Sequence, residues 1–340
     1  MAPSGAGRAP LGGPLVVRLP NWLGDALMAR PLLHALRAAQ PGVPLRALAP
    51  APLLALLARE RQWDDAAPTS PGASEWPRSE PRPAAAVVLP PSFSSAWQAW
   101  RSGAALRVGF ASDARSWLLT HAVRRRERGD RHLSREYLQL GEPLGVMPGE
   151  DLLPALPILA PTPSEFERAH ELLADRGGVP ERWVVFGPGA QYGPAKRWPI
   201  ERFIALGRLL VARGLQVLAC GGAGERAASE ALVAGIGTGA RSLAGSTDLG
   251  VQLALCARAR LTVSNDSGLA HLAAASGAPT LALFGSTSSA WTAPLGQAVR
   301  VIQHAPVCSP CFQRDCRIGF ACLHAIRVDE LARHCMELAA

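Results

Sequence analysis

Four times in its second half the chain runs a short β-rich segment into glycine and then into a helical pattern. The passages are RWVVFGPG (182–189), LQVLACGGAGE (215–225), ARLTVSNDSGLAHLAAASG (259–277) and APTLALFGST (278–287). Strand, glycine turn and helix in that order build a parallel sheet with crossover helices on its faces. The first half shows the same alternation. PLVVRLP (14–20) and PLRALAP (44–50) read as strands, and ALMARPLLHALRAAQPG (26–42) and PLLALLARERQW (52–63) read as helices. AAAVVLP (84–90), AWQAWRSG (96–103) and RVGF (107–110) continue it.

Proline-rich LLPALPILAPTPSEFERAH (152–170) separates the two halves and reads as a linker. The expected fold is therefore α/β, two Rossmann-like doubly wound parallel-sheet domains facing a central crevice. Ligands bind such sheets at the carboxyl ends of the strands. The expected boundaries are a disordered extension at 1–13, a first domain at 14–155, a second at 156–326 and a C-terminal helix at 327–340. Residues 64–83, DDAAPTSPGASEWPRSEPRP, read as a surface loop.

With 340 residues, each domain is long enough to bury its own core. No apolar run of 18 residues exists to cross a membrane, and the N-terminus lacks the core of a signal peptide, so the expected location is cytoplasmic. The net charge of +8 points to an acidic partner: nucleic acid, anionic lipid headgroups or a phosphorylated small molecule. Nucleic acid fits poorly, because basic residues are not interleaved with aromatics along any one element. Of the seven cysteines, Cys308, Cys311, Cys316 and Cys322 cluster. Their spacing has only one of the two Cys-x-x-Cys knuckles of a zinc ribbon, so a compact loop of reduced or redox-sensitive thiols is the preferred reading and no metal is expected.

Neither a G-x-G-x-x-G after the first strand nor a Walker sequence is present, which disfavours a dinucleotide or P-loop enzyme. The glycine loops of the second half, Gly189 among them, still form a rim suited to phosphate. In that rim, GPGAQYGPAKRWPIERF (187–203) holds Lys196, the only lysine in a chain whose other basic residues are all arginine. A compact, rotatable ammonium suits a diphosphate whose charge grows as a bond breaks. The alternative is a solvated surface lysine. In SNDSGLAHLAAA (264–275), Asp266, Ser267 and Gly268 crowd before a helix with His271 on its first turn. They suit an anionic or hydroxylated ligand, although helix capping alone needs one of them. Glu225 opens a helix and reads either as a ribose-binding acid or as a favourable charge at a helix N-terminus. Asp25, at the carboxyl end of the first strand, reads either as a helix cap or as a base that takes a proton from an attacking hydroxyl.

NWLGDALMARPLLHALRAAQPG, GPGAQYGPAKRWPIERF, SLAGSTDLGVQLALCARARLTVSNDSGLAHLAAASGAPTLALFGST and the CSPCFQRDCRIGFACL tail together resemble the bacterial ADP-heptose:lipopolysaccharide heptosyltransferases, glycosyltransferase family 9, closest to the heptosyltransferase II branch. The resemblance implies a GT-B fold and an inverting, metal-independent transferase without a cofactor. A missing D-x-D motif agrees with that. It implies that Asp25 is the catalytic base and that Lys196 stabilises the departing ADP diphosphate. Gly189, Glu225, Asp266, Ser267, Gly268 and His271 would bind the ADP-heptose donor in the second domain. The first domain would bind an anionic lipopolysaccharide inner-core acceptor at the cytoplasmic face of the inner membrane, with Asn21, Trp22, Arg124, Arg125 and Arg126 as candidates. The arginine run reads equally as a solvated face. Residues 64–83 have no match in the family pattern. Two other readings stay open: a GT-B transferase or epimerase using a UDP-sugar, and a nucleotide- or glycan-binding module without turnover.

Overall fold

The structure, a computed structural model, describes residues 11–70, 76, 81–147, 156–174 and 182–339. It divides into two compact units, Met1–Pro157 and Ile158–Ala340. Residues 1–10 of the expected extension lie outside the described residues, while Leu11 donates its N–H to Gln40 Oε1 at 3.1 Å.

The first unit holds β1 (Leu15–Arg18), β2 (Leu45–Ala49), β3 (Asp65–Pro68), β4 (Ala85–Val88), β5 (Leu106–Phe110) and β6 (His121–Val123). All pair in parallel, in the order β3-β2-β1-β4-β5-β6. Central β1 and β4 are apolar, or capped by one arginine, and wholly buried, as a sheet covered on both faces requires.

Three local expectations need correction. Residues 64–83 contain an edge strand, β3, and a buried Trp76, 8% exposed. The strand DAAP carries no β-branched residue to announce it, and its pairing with β2 is reinforced by Arg46 Nε on Asp65 at 2.9 Å. The helix expected over 26–42 is two, Leu23–Met28 and Arg30–Ala39, because Pro31 has no N–H to continue the first ladder. The linker expected through 170 ends early, at a helix Pro163–Ala174. Thr162 and Glu165 start it reciprocally: Thr162 N–H donates to Glu165 Oε2 at 2.7 Å and Glu165 N–H to Thr162 Oγ1 at 3.4 Å.

The second unit repeats the plan with β7 (Trp183–Gly187), β8 (Gln216–Ala219), β9 (Ala240–Ser242), β10 (Leu261–Asn265), β11 (Thr280–Phe284) and β12 (Val299–Gln303), ordered β12-β11-β10-β7-β8-β9. In each unit the first strand lies beside the fourth, so chain direction across the sheet reverses between β1 and β4 and between β7 and β10. Those are the two places where an open α/β sheet parts its connecting loops. A terminal helix, Val328–Ala339, closes the second core by burying Leu331 and Cys335 among Trp198, Phe203 and Leu323.

Candidate active site

The second unit's reversal point is organised by Asn265, the last residue of β10 and completely buried. Its Nδ2 donates to the Pro188 carbonyl at 2.7 Å, just after β7. Its Oδ1 accepts from the Trp198 N–H at 3.0 Å. One side chain thus holds both ends of the loop 188–198. Within it, Gly193 and Pro194 start a single 3-10 turn, Pro194–Lys196, that aims Lys196 inward. Lys196 Nζ reaches Asp266 Oδ2 at 2.6 Å, with side chains only 14% and 4% exposed. Thr287 Oγ1 donates to the same oxygen at 2.6 Å. The ammonium also stands 4.9 Å from the centroid of the Tyr192 ring. The lone lysine is therefore not a solvated surface residue.

The cysteine-bearing tail braces this loop. Tyr192 donates its hydroxyl to the Phe312 carbonyl at 2.5 Å, Arg314 Nε donates to the Tyr192 carbonyl at 2.8 Å, and Ala195 N–H donates to the Arg314 carbonyl at 3.2 Å. Gly193 has φ of +155°, and a Cβ there would lie 2.3 Å from the Arg314 carbonyl oxygen, so the close approach needs glycine. All seven thiols are free. Burial pushes the Cys322 thiol up. Among the described residues no group of three His, Cys, Asp or Glu side chains is gathered to hold a metal ion.

The polar turn after β10 does not cap its helix, Gly268–Ala275, with a side chain. Ser267 Oγ instead lies 3.0 Å from Ser264 Oγ, and Asp266 is committed to Lys196 and Thr287. Capping alone therefore does not account for SNDSG. His271 is on the first turn of that helix and buried, 5% exposed. Glu225 ends a 3-10 turn after β8, where its Oε2 accepts from the Gly222 N–H at 2.8 Å. A Cβ on Gly189 or Gly221 would come within 1.9 and 2.4 Å of its carboxylate oxygens. Gly189 and Glu225 are thus brought together across the ends of β7 and β8. The sequence singled out Lys196, Asp266, Ser267 and Glu225 but missed Asn265, Thr287 and Tyr192. An amide residue at the end of β10, just before the SNDSG turn's aspartate, was the one available signal for Asn265.

In the first unit Asp25 sits in the first turn of the helix Leu23–Met28, whose N-cap is Trp22, so the aspartate is not the cap. Burial, and then the charge of Asp25, pushes the Tyr137 phenol well above its ordinary value. Asp25 therefore shares a corner with Tyr137. Arg125 stands at the same corner: its Nε meets Glu136 Oε2 at 2.9 Å and its guanidinium lies 4.6 Å from the Phe110 ring centroid. Arg124 and Arg126 are exposed, so the arginine run divides into an inward member and outward neighbours. Asn21 Oδ1 accepts from Arg18 Nη2 at 2.5 Å, beneath an exposed Trp22. Arg18 is buried at the end of β1, and desolvation lowers it to about 10, which leaves it a cation at neutral pH.

Comparison with known proteins bears on the whole arrangement. The profile "Glycosyltransferase family 9 (heptosyltransferase)" matches residues 84–321. Lipopolysaccharide heptosyltransferase 2 of Escherichia coli (strain K12) is 32% identical over 300 residues, spanning 84% of this chain and 86% of that protein. Lipooligosaccharide heptosyltransferase 2 of Haemophilus influenzae is 30% identical over 306 residues, again with 84% and 86% covered. The structure of E. coli ADP-heptose lps heptosyltransferase II aligns with a TM-score of 0.78 at 28% identity, over 96% of this chain and 98% of that one. A family 9 glycosyl transferase from Veillonella parvula, TM-score 0.83 at 20% identity and covering 98% of both chains, shares the fold. With a match across most of its length and both halves built as doubly wound sheets, the chain belongs to glycosyltransferase family 9, the heptosyltransferases.

Proposed function

We propose that this enzyme transfers L-glycero-D-manno-heptose from ADP-heptose to a heptose of the lipopolysaccharide inner core, with inversion and without a metal. The observation that carries the reading is the Lys196–Asp266 pair at 2.6 Å, buried at the reversal point of the second unit and oriented by Thr287 and Asn265. The second unit binds the donor. Its helix Gly268–Ala275 offers unpaired N–H groups to phosphate, and the Lys196 ammonium, held ready by Asp266, takes up charge as the anomeric C–O bond breaks. Arginine, with its planar fork, would not fit between Asp266 and the Tyr192 ring in the same way. Glu225, in the 3-10 turn that follows the unit's second strand, accepts hydrogen bonds from the ribose hydroxyls of the donor, the role an acid after the second strand takes in such folds.

The first unit binds the acceptor. A heptose hydroxyl attacks the anomeric carbon from the side opposite the diphosphate, Asp25 takes its proton, and ADP leaves with the bonding electrons. Asn21, Trp22, Arg124 and Arg126 lie at or beyond the carboxyl ends of that unit's strands and meet the anionic acceptor. Turnover of ADP-heptose on purified heptosylated inner core tests the reading: ADP release that needs both substrates supports it, and equal turnover of UDP-sugars would falsify it.

A further inference from the structure

The first unit carries an exposed aromatic row that no part of the transfer reaction uses. On the helix Phe93–Arg101, Phe93, Trp97 and Trp100 fall on one stripe at spacings of four and three. Phe93 and Trp97 stack with centroids 6.4 Å apart, and Trp97 and Trp100 with centroids 5.0 Å apart. Trp117, from the 3-10 turn Ser116–Leu118, joins at 6.3 Å from Phe93. Trp97 is the inner member, packed on Ala96, Leu118 and Leu119. The other three face outward, Phe93 42%, Trp100 46% and Trp117 66% exposed. Scattered single apolar residues are ordinary on a surface, but a contiguous row of large rings marks an interaction site.

We propose that this row seats the protein on an anionic bilayer surface. The charge around it decides for that partner. The helix itself has no acidic residue and ends in exposed Arg101. Leaving out buried Arg115 and the Arg125–Glu136 pair, residues 93–136 hold seven arginines against three acids, and Arg124, Arg126 and Arg128 are exposed just past the edge strand β6. Indole rings settle at the headgroup level of a bilayer, and each guanidinium near an anionic leaflet adds to the attraction. A second copy of the chain would bring the same arginines face to face across a two-fold interface, which repels. The aromatic row has no part in the assignment of donor or acceptor, while Arg124 and Arg126 are shared with the proposed acceptor side, and vesicle binding reads the seat without turnover.

The test is co-sedimentation of the full chain with vesicles of phosphatidylcholine, with and without phosphatidylglycerol, at low and high salt. The wild type should sediment with the anionic vesicles and be released by salt. Trp100→Ser/Trp117→Ser should weaken that partition by about tenfold or more, through lost apolar burial. Arg124→Gln/Arg126→Gln/Arg128→Gln should weaken it as well and flatten the salt dependence. Circular-dichroism melting shows that each variant is folded, and the exposure of these side chains makes that the expected result. Equal binding to neutral vesicles, or binding unchanged in both variants, overturns the proposal. So does a wild-type dimer that the tryptophan variant makes monomeric, or retention of an oligonucleotide that the same variant loses.

Discussion

At the scale of single residues, the Lys196–Asp266 contact lets stability and the proposed diphosphate role be tested apart. Removing the lysine leaves a carboxylate only 4% exposed without its ammonium, which costs about 3 kcal/mol. Lys196→Ala should therefore melt lower and lose the stabilisation by ADP, which for the wild type is about 2.7 kcal/mol at a hundredfold excess over Kd. Lys196→Met with Asp266→Asn should recover much of the melting temperature, measured by scanning calorimetry, but none of the turnover. A double variant that regained turnover would rule out the diphosphate role. Asp25→Asn makes a different prediction. A general base contributes roughly a hundredfold to ten-thousandfold, so kcat should fall by that order while KM for the donor holds. Steady-state kinetics with the donor varied separates the two.

At the scale of elements, a single asparagine ties β10 to the loop that leaves β7. Asn265→Ala strands the Trp198 N–H and the Pro188 carbonyl in a buried place, and should cost about 2–4 kcal/mol by urea unfolding. Because the same bonds hold Lys196 at Asp266, ADP affinity should fall with it. A folded Asn265→Ala protein with unchanged ADP affinity would separate the clamp from the site. The sequence located the loop and the lysine because glycine, proline and an isolated ammonium are local signals. It did not reveal the clamp, whose partners lie 67 and 77 positions away along the chain. β3 was hidden for a related reason: two alanines between aspartate and proline become a strand only when β2 is beside them.

At the scale of the whole molecule, one buried ion pair anchors the end of the first unit. Arg30 Nη2 meets Glu60 Oε1 at 2.6 Å and also donates to the carbonyl of Pro157, the unit's last residue, at 2.6 Å. Burial alone would raise the Glu60 carboxyl, but hydrogen bonds from His34 and Arg30 outweigh it and hold the group below its ordinary value. A carboxyl lowered on folding adds stability that is complete above the ordinary carboxylate range and disappears as pH falls through the lowered value. Glu60→Gln should therefore be less stable by about 3 kcal/mol near neutrality and lose less on acidification. Melting temperatures of both proteins across the acid range give the two slopes. Parallel slopes would mean that Glu60 is not the group responsible.

The sequence by itself determined the doubly wound class of both halves and the glycine rim, and it marked Lys196, Asp266 and Glu225 as candidates, since apolar period, turn glycines and motif spacing are properties of neighbouring residues. Only the tertiary structure decided that the lysine's charge is matched by Asp266, that Asn265 holds the loop, and that Arg125 turns inward while Arg124 and Arg126 face water. Those outcomes depend on which strand ends lie side by side, and strand order is set by packing between segments far apart in the chain.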